Sequence, residues 1–276
     1  MSDAYLSHEA LISSVTAAGT SLGPAIGRHF ESTFRCLVGQ KGVVSEPSFF
    51  RMLSGEAHPL GNLAVFPEPV ELPIVRTAVE PMAGLGVPSA VIFSGTNPPC
   101  PDVATYLSER GYVNQSAIPA MGVDIARLKS TSLPAGYELV RVGSGAESDE
   151  WVQLLAAGYG LPVGLARYFS PAAFGAESTR ADGRLQFFAI RHAGTMVATS
   201  MCFLKEGLAG VYSVSTIPSE RRKGLGEHAT AEPLRLAARL GYRVGILQSS
   251  EAGYGVYRKL GFQDFGGLPI FIRIPA

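Results

Sequence analysis

Between residues 216 and 226 the chain reads Thr216-Ile217-Pro218-Ser219-Glu220-Arg221-Arg222-Lys223-Gly224-Leu225-Gly226. An apolar, strand-like run ends there, three adjacent cations and two glycines follow, and a helical pattern begins. A strand that turns into a helix leaves the first N–H groups of that helix without partners, and the helix dipole adds partial positive charge at the same place. Gly224 and Gly226 let the backbone approach an oxyanion where a Cβ would intrude, and Arg221, Arg222 and Lys223 add formal charge. This is the chemistry of a phosphate or pyrophosphate cradle.

The spacing is not GxxxxGK[ST], and no GxGxxG follows a strand, which disfavours a kinase or a dehydrogenase. The stretch resembles motif A of the GCN5-related N-acetyltransferase (GNAT) superfamily, Arg/Gln-x-x-Gly-x-Gly/Ala, here Arg221-Arg222-Lys223-Gly224-Leu225-Gly226, with Pro218 upstream as is common there. The resemblance implies that this loop holds the pyrophosphate of acetyl-CoA and that Val214, Ser215 and Thr216 bond the pantetheine arm through their backbone. The end Val256-Tyr257-Arg258-Lys259-Leu260-Gly261-Phe262 resembles motif B, so Tyr257 becomes the implied catalytic residue, protonating the leaving thiolate. A phenol near sulfur stabilises developing negative charge and can then donate its proton. The match spans residues 137–276. Ser250 stands where the family often has asparagine, Gly253 where alanine is usual, and the strand 209–217 carries no carboxylate to act as base.

Positioning such a loop requires a mixed α/β scaffold. Tyr137–Val142 alternates like a strand, Glu147–Tyr159 has helical spacing, and a shorter helix is predicted at 163–175. Runs at 185–191, 196–204 and 209–217, separated by turn signals, read as an antiparallel meander. Helix 224–240, strand 243–249, helix 251–260 and strands near 261–265 and 268–274 follow. Pro233 should bend or delay the helix opened by the loop, because its nitrogen cannot donate. The resemblance implies a GNAT-like α+β fold, a central, mostly antiparallel twisted sheet flanked by helices, with the acceptor groove around 155–169 and 266–268.

The Ser/Thr/Pro/Gly-rich stretch 128–137 divides the chain into expected domains at 1–130 and 136–276. Ala83-Gly84-Leu85-Gly86 before Ala90–Phe93 echoes Ala238-Arg239-Leu240-Gly241 before Val244–Leu247, which suggests a tandem with a degenerate GNAT-like N-terminal half. That half has no Gly-x-Gly, carries two glutamates where phosphate would sit, and has Leu107 at the position of Tyr257. It is not expected to bind CoA; covering the second domain, shaping the acceptor site or forming a homodimer are the roles left to it.

Lysine and arginine total 23 against 23 aspartate and glutamate, which argues against duplex nucleic acid or an anionic membrane as a partner, and against the tRNA-dependent aminoacyl-transfer enzymes among tandem relatives. No apolar run is long enough to span a bilayer, and residues 1–14 lack a basic-then-apolar leader, so a cytoplasmic location is expected. The three cysteines, Cys36, Cys100 and Cys202, have no metal-ligand spacing, so no metal is expected. The expected activity is direct acetyl transfer from acetyl-CoA to an amine, a small molecule of unassigned identity. The rival reading is a non-catalytic CoA-binding regulatory or interaction module.

Overall fold

The computed structural model describes residues 22–67, 70–95, 97–175 and 183–275. The N-terminal segment read for a leader, and one of the two glutamates, Glu68, lie outside them. The fold is mixed α+β, with two mostly antiparallel sheets and helices packed on them. Among described residues, one compact unit comprises Leu22 with Met121–Phe265, the other Gly23–Ala120 with 266–275. The stretch 128–136 is irregular chain, whereas the passages at 120/121 and 265/266 fall inside strands.

The unit 121–265 carries the loop of interest. Its strands are β6 (Ile118–Asp124), β7 (Tyr137–Arg141), β8 (Leu185–His192), β9 (Thr195–Lys205), β10 (Leu208–Thr216), β11 (Val244–Gln248) and β12 (Gln263–Leu268), in the order β12-β6-β11-β10-β9-β8-β7. β8 to β10 form the expected antiparallel meander, β7 adds to it antiparallel to β8, and β10 pairs with β11 in parallel. Helix α4 (Ala146–Tyr159) lies on one face, where Trp151 donates Nε1–H to the Phe188 carbonyl and meets the Phe187 ring edge-on. Helix α6 (Leu225–Arg239) lies on the other, its Ala231 and Leu234 packed with Phe188, Cys202, Leu204 and Val211. Strand alternation explains the division: Phe187 and Phe188 point to opposite faces.

Helix α5 (Val163–Tyr168) is shorter than the predicted 163–175. Pro171 disfavours helical geometry at Ser170, so the helix ends early. Helix α6 runs past Pro233, which sits buried within it. Helix α7 (Glu251–Leu260) is capped by Ser250, whose Oγ accepts from Gly253 N–H at 3.2 Å. It ends on Gly261 at φ 104, with the Phe262 N–H bonded back to the Tyr257 carbonyl. That paired closure fixes the helix end around Tyr257 and delays β12 to Gln263.

The other unit contains α1 (Leu22–Arg35), α2 (Leu72–Ala83) and α3 (Pro101–Glu109). Its sheet order is β1-β2-β3-β4-β13-β5, from β1 (Val43–Glu46), β2 (Phe49–Leu53), β3 (Asn62–Phe66), β4 (Ser89–Phe93), β5 (Val113–Asn114) and β13 (Ile270–Arg273). Phe66, Val79, Met82, Phe93, Tyr106 and Phe271 share its core. β1, β2 and β3 form an antiparallel meander and β4 pairs parallel to β3, as β8, β9, β10 and β11 do. In each sheet a strand from elsewhere in the chain enters just beyond the parallel pair: β6 between β11 and β12, β13 between β4 and β5.

Candidate active site

β10 and β11 pair only from Leu208↔Val244 to Gly210↔Ile246, although β10 continues to Thr216 and β11 to Gln248. The strands therefore stop bonding to one another halfway along, leaving an unpaired edge on each. On its other edge, β10 carries a bulge between Tyr212 and Ser215 against β9. Ser213 takes φ 52 there, and the buried Thr199 donates Oγ1–H to the Ser213 carbonyl at 2.8 Å, holding a backbone conformation that serine rarely adopts. Val214, Ser215 and Thr216 form the end of β10 beyond its pairing with β11.

A short turn, Pro218–Glu220, leads into the loop. Arg222 (φ 63) and Gly224 (φ 78) are both left-handed, with Gly224 capping α6. Alternation of this kind turns successive N–H groups toward one concavity. From Arg222 to Glu227 no backbone N–H has an acceptor among the described residues; the first α-helical bond is His228 N–H to the Gly224 carbonyl. A Cβ at Gly224 or Gly226 would meet nothing within 4 Å, so the space above these donors is open. The Leu225 side chain is buried with Ile190, Val197 and Ala229, so only its backbone faces the loop.

The three cations divide into two struts and one free charge. Arg221 donates to the Thr216 carbonyl (3.1 Å) and the Gly158 carbonyl (2.9 Å), tying the end of β10 to the end of α4. Lys223 Nζ donates to the Tyr137 hydroxyl and to Glu220, both at 3.0 Å. Those bonds raise the lysine pKa, with the Tyr137 bond the larger cause, and the Tyr137 and Lys223 bonds hold the Glu220 carboxyl below its ordinary value. Arg222 is exposed and makes no side-chain bond among the described residues. Glu220 offsets the charge of Lys223, so the net positive charge of the cradle rests on Arg221, Arg222 and the backbone.

Tyr257 is 8% exposed and packs with Val211 of β10, Leu247 of β11 and Phe262. Its hydroxyl has no hydrogen-bond partner among the described residues, unlike a tyrosine built into a core. Burial, and then the nearby Tyr159 phenol, push its pKa strongly upward, so the group is a neutral donor across the physiological range. Tyr159 ends α4; 45% of its surface is open, yet the surrounding protein raises its phenol to about 12. Cys202 is buried, and burial lifts its thiol to about 12, which leaves it inert as a nucleophile.

The structure thus brings Val214–Thr216, the 221–226 loop and Tyr257 into one unit, the loop at the C-terminal end of β10 and Tyr257 beside the parting strands. Residues 155–169 belong to the same unit, while 266–268 are counted in the other. Sequence reading missed Thr199 and Gly158, whose roles depend on a bulge that leaves no trace in residue pattern. It also missed Gln248, both of whose amide atoms are buried without a partner. In the other unit, Leu107 is buried and the Tyr106 hydroxyl donates to Glu80 at 3.2 Å. Among described residues no cluster of His, Cys, Asp and Glu could hold a metal, and no helix is long and apolar enough to cross a membrane.

No curated protein matches the chain. Among solved structures, a GCN5-related N-acetyltransferase from Kribbella flavida is 22% identical, with 92% of this chain and 96% of that one aligned at a TM-score of 0.62. A conserved protein of unknown function from Staphylococcus epidermidis is 10% identical over 87% and 96%, TM-score 0.60. A GCN5-related N-acetyltransferase from Sphaerobacter thermophilus is 13% identical over 92% and 93%, TM-score 0.56. At these identities the likeness is one of fold. The sequence profile of the family described as "Acetyltransferase (GNAT) family" matches residues 149–262, the stretch that contains most of α4, the parting strands, the loop and Tyr257.

Proposed function

We propose that this domain transfers an acetyl group directly from acetyl-CoA to an amine, with the cofactor's pyrophosphate on residues 221–226. The observation that carries the reading is the run of unpartnered N–H groups from Arg222 to Glu227, facing open space over Gly224 and Gly226 at the end of a strand that has parted from its neighbour. Charge-assisted bonds from such donors to phosphate are stronger than neutral ones, and Arg222 is free to add another. The edge of Val214–Thr216 that faces away from β9, beyond the last pair with β11, suits the amide groups of a pantetheine arm.

When bound, acetyl-CoA supplies an activated acyl carbon. The amine nitrogen bonds to that carbon as the carbon–sulfur bond breaks, and Tyr257 donates its hydrogen bond and then its proton to the departing sulfur. The nitrogen's surplus proton leaves to water, since β10 carries no carboxylate. The phenolate is re-protonated from solvent, which restores the enzyme. A buried phenol with a raised pKa gives up its proton reluctantly, so much of its contribution is as a hydrogen-bond donor to the thiolate.

The N-terminal half repeats the order of meander, helix and parallel strand, which supports a tandem ancestry. Its Tyr106 is bonded to Glu80, and Glu71 occupies the N-cap position of α2, where its charge opposes an incoming anion, so we assign it no CoA site. The absence of a carboxylate on β10 favours one second reading, a module that binds CoA without turnover.

Titration of the full chain with acetyl-CoA, beside Gly224→Glu, tests the proposal. Binding that the variant abolishes is expected; equal affinities overturn the loop assignment. Release of free thiol in an amine screen, slowed in Tyr257→Phe with binding kept, separates the enzyme from the module.

A further inference from the structure

The end of β11 holds an amide with nothing to bond. Gln248 Nε2 and Oε1 are both buried, and neither has a partner. The side-chain direction follows from its neighbours. A Cβ at Gly245 would press on Leu234 of α6, and Leu247 packs with Leu234 and Ala231 of the same helix. Residues 245 and 247 therefore face α6, and alternation turns Gln248 to the face on which α4 packs. Ser215 at the end of β10 faces the same way. A Cβ at Gly158 of α4 would collide with its Oγ, and that Oγ is also buried without a partner. The two groups terminate the two strands beyond their last pair, Gly210↔Ile246.

Leaving a buried amide unpaired is destabilising, and a chain gains nothing for it in the folded state alone. The cost is offset when a ligand supplies the missing bonds. An amide offers two donors and one acceptor in a plane, a set matched by another amide. Neither group is charged, and a buried ionic ligand would need a countercharge that neither provides.

Resting on the function proposed above, we infer that Gln248, with Ser215, recognises the acceptor: an amine bearing a neutral carboxamide beside the amino group, as in an amino-acid amide. The α4 face is opposite the α6 face whose helix start forms the cradle, so the acceptor approaches the acyl carbon from the side away from the phosphates. Gln248 binds and orients the amine's substituent and leaves the proton chemistry to Tyr257.

The test compares glycinamide with its apolar isostere isobutylamine and with glycine, using the full chain saturated with acetyl-CoA and kcat/KM read from free-thiol release. Gln248→Met keeps the volume and removes the bonds. The glycinamide-to-isobutylamine ratio of kcat/KM is expected to fall at least about tenfold in the variant, a comparison in which the differing basicity of the amines cancels. Acetyl-CoA affinity is expected to stay as in the native chain, and Tm to stay or rise. An unchanged ratio overturns the inference. A loss of acetyl-CoA affinity in Gln248→Met also overturns it, since the amide would then serve the pantetheine arm. Faster turnover of glycine than of glycinamide overturns the neutral class. Should no amine turn over, the catalytic reading falls by itself, and the inference is then read from the Tm rise that glycinamide gives the CoA-saturated chain, expected to be lost in Gln248→Met; no rise in the native chain overturns it.

Discussion

A Cβ on Gly253 would stand 2.8 Å from Cε2 of Tyr257, so the glycine one turn back is what gives the phenol ring its place. Gly253→Ala gains about 1 kcal/mol of helix propensity and spends it on pushing the ring aside. Turnover is expected to drop about tenfold with acetyl-CoA affinity within twofold of native, because an ångström of misplacement at a reacting group is costly. Steady-state kinetics beside a calorimetric Kd checks this; a kcat equal to native would show that the ring position does not matter.

Gly158 and Ser215 are in closer contact still, and the short serine side chain has little length with which to yield. Gly158→Ala must separate the end of α4 from the bulged end of β10, against the Arg221 strut that ties them. A loss of about 1–3 kcal/mol is expected, read as a lower urea midpoint with unchanged m. Ser215→Gly in the same chain should return most of it.

Arg222 and Lys223 should behave differently. Arg222→Ala is expected to weaken acetyl-CoA binding about five- to tenfold, and to flatten its dependence on salt. Lys223→Ala should cost less, about twofold, because Glu220 and Tyr137 already hold that ammonium. Calorimetry at two ionic strengths distinguishes them, and equal losses would mean that Lys223 leaves Glu220 to meet the ligand.

Stability should fail first in alkali. Burial lifts Cys202 from 9.0 to about 12 and Tyr159 from 10.0 to about 12. Each folded pKa is above its unfolded value, so the stabilisation is complete below pH 9 and is lost as pH rises toward 12. Tm is expected to be level with respect to these groups from pH 7 to about 8.5 and to decline above 9. Cys202→Ala should shift the onset of that decline toward 10. A decline with the same onset in the variant would remove Cys202 as its source.

Thr199 is the fastening of the bulge. Thr199→Val leaves the Ser213 carbonyl without its donor and should cost about 1–2 kcal/mol. A larger fall in kcat/KM for acetyl-CoA than in Tm-derived stability would show that the bulge geometry is used in binding.

Much of the site is legible in sequence because it is local. A strand, three cations, two glycines and a helix sit within a few residues, and the Ser250 cap and Gly261 closure that frame Tyr257 are equally short in range. What sequence hid is what the cations do after folding. Nothing in Arg221-Arg222-Lys223 says that the first reaches Gly158 or that the last finds Tyr137, since both partners arrive through tertiary packing. The orphaned Gln248 was invisible for the same reason: a polar residue ending an apolar strand reads as solvent-facing. The alternating run 268–274 announces a strand and not the sheet it enters, because period and hydropathy are the same in either sheet.

That last ambiguity has a genetic consequence. With β6 seated between β11 and β12, and β13 between β4 and β5, no single cut in the chain yields two pieces that each own a whole sheet. A gene fragment encoding 136–276 would lack the strand that separates β11 from β12, and its tail would carry a strand with no sheet of its own to enter. The half that carries the loop is thus not a cassette that can be moved alone into another protein, and the N-terminal half is inherited with it as the keeper of one of its strands.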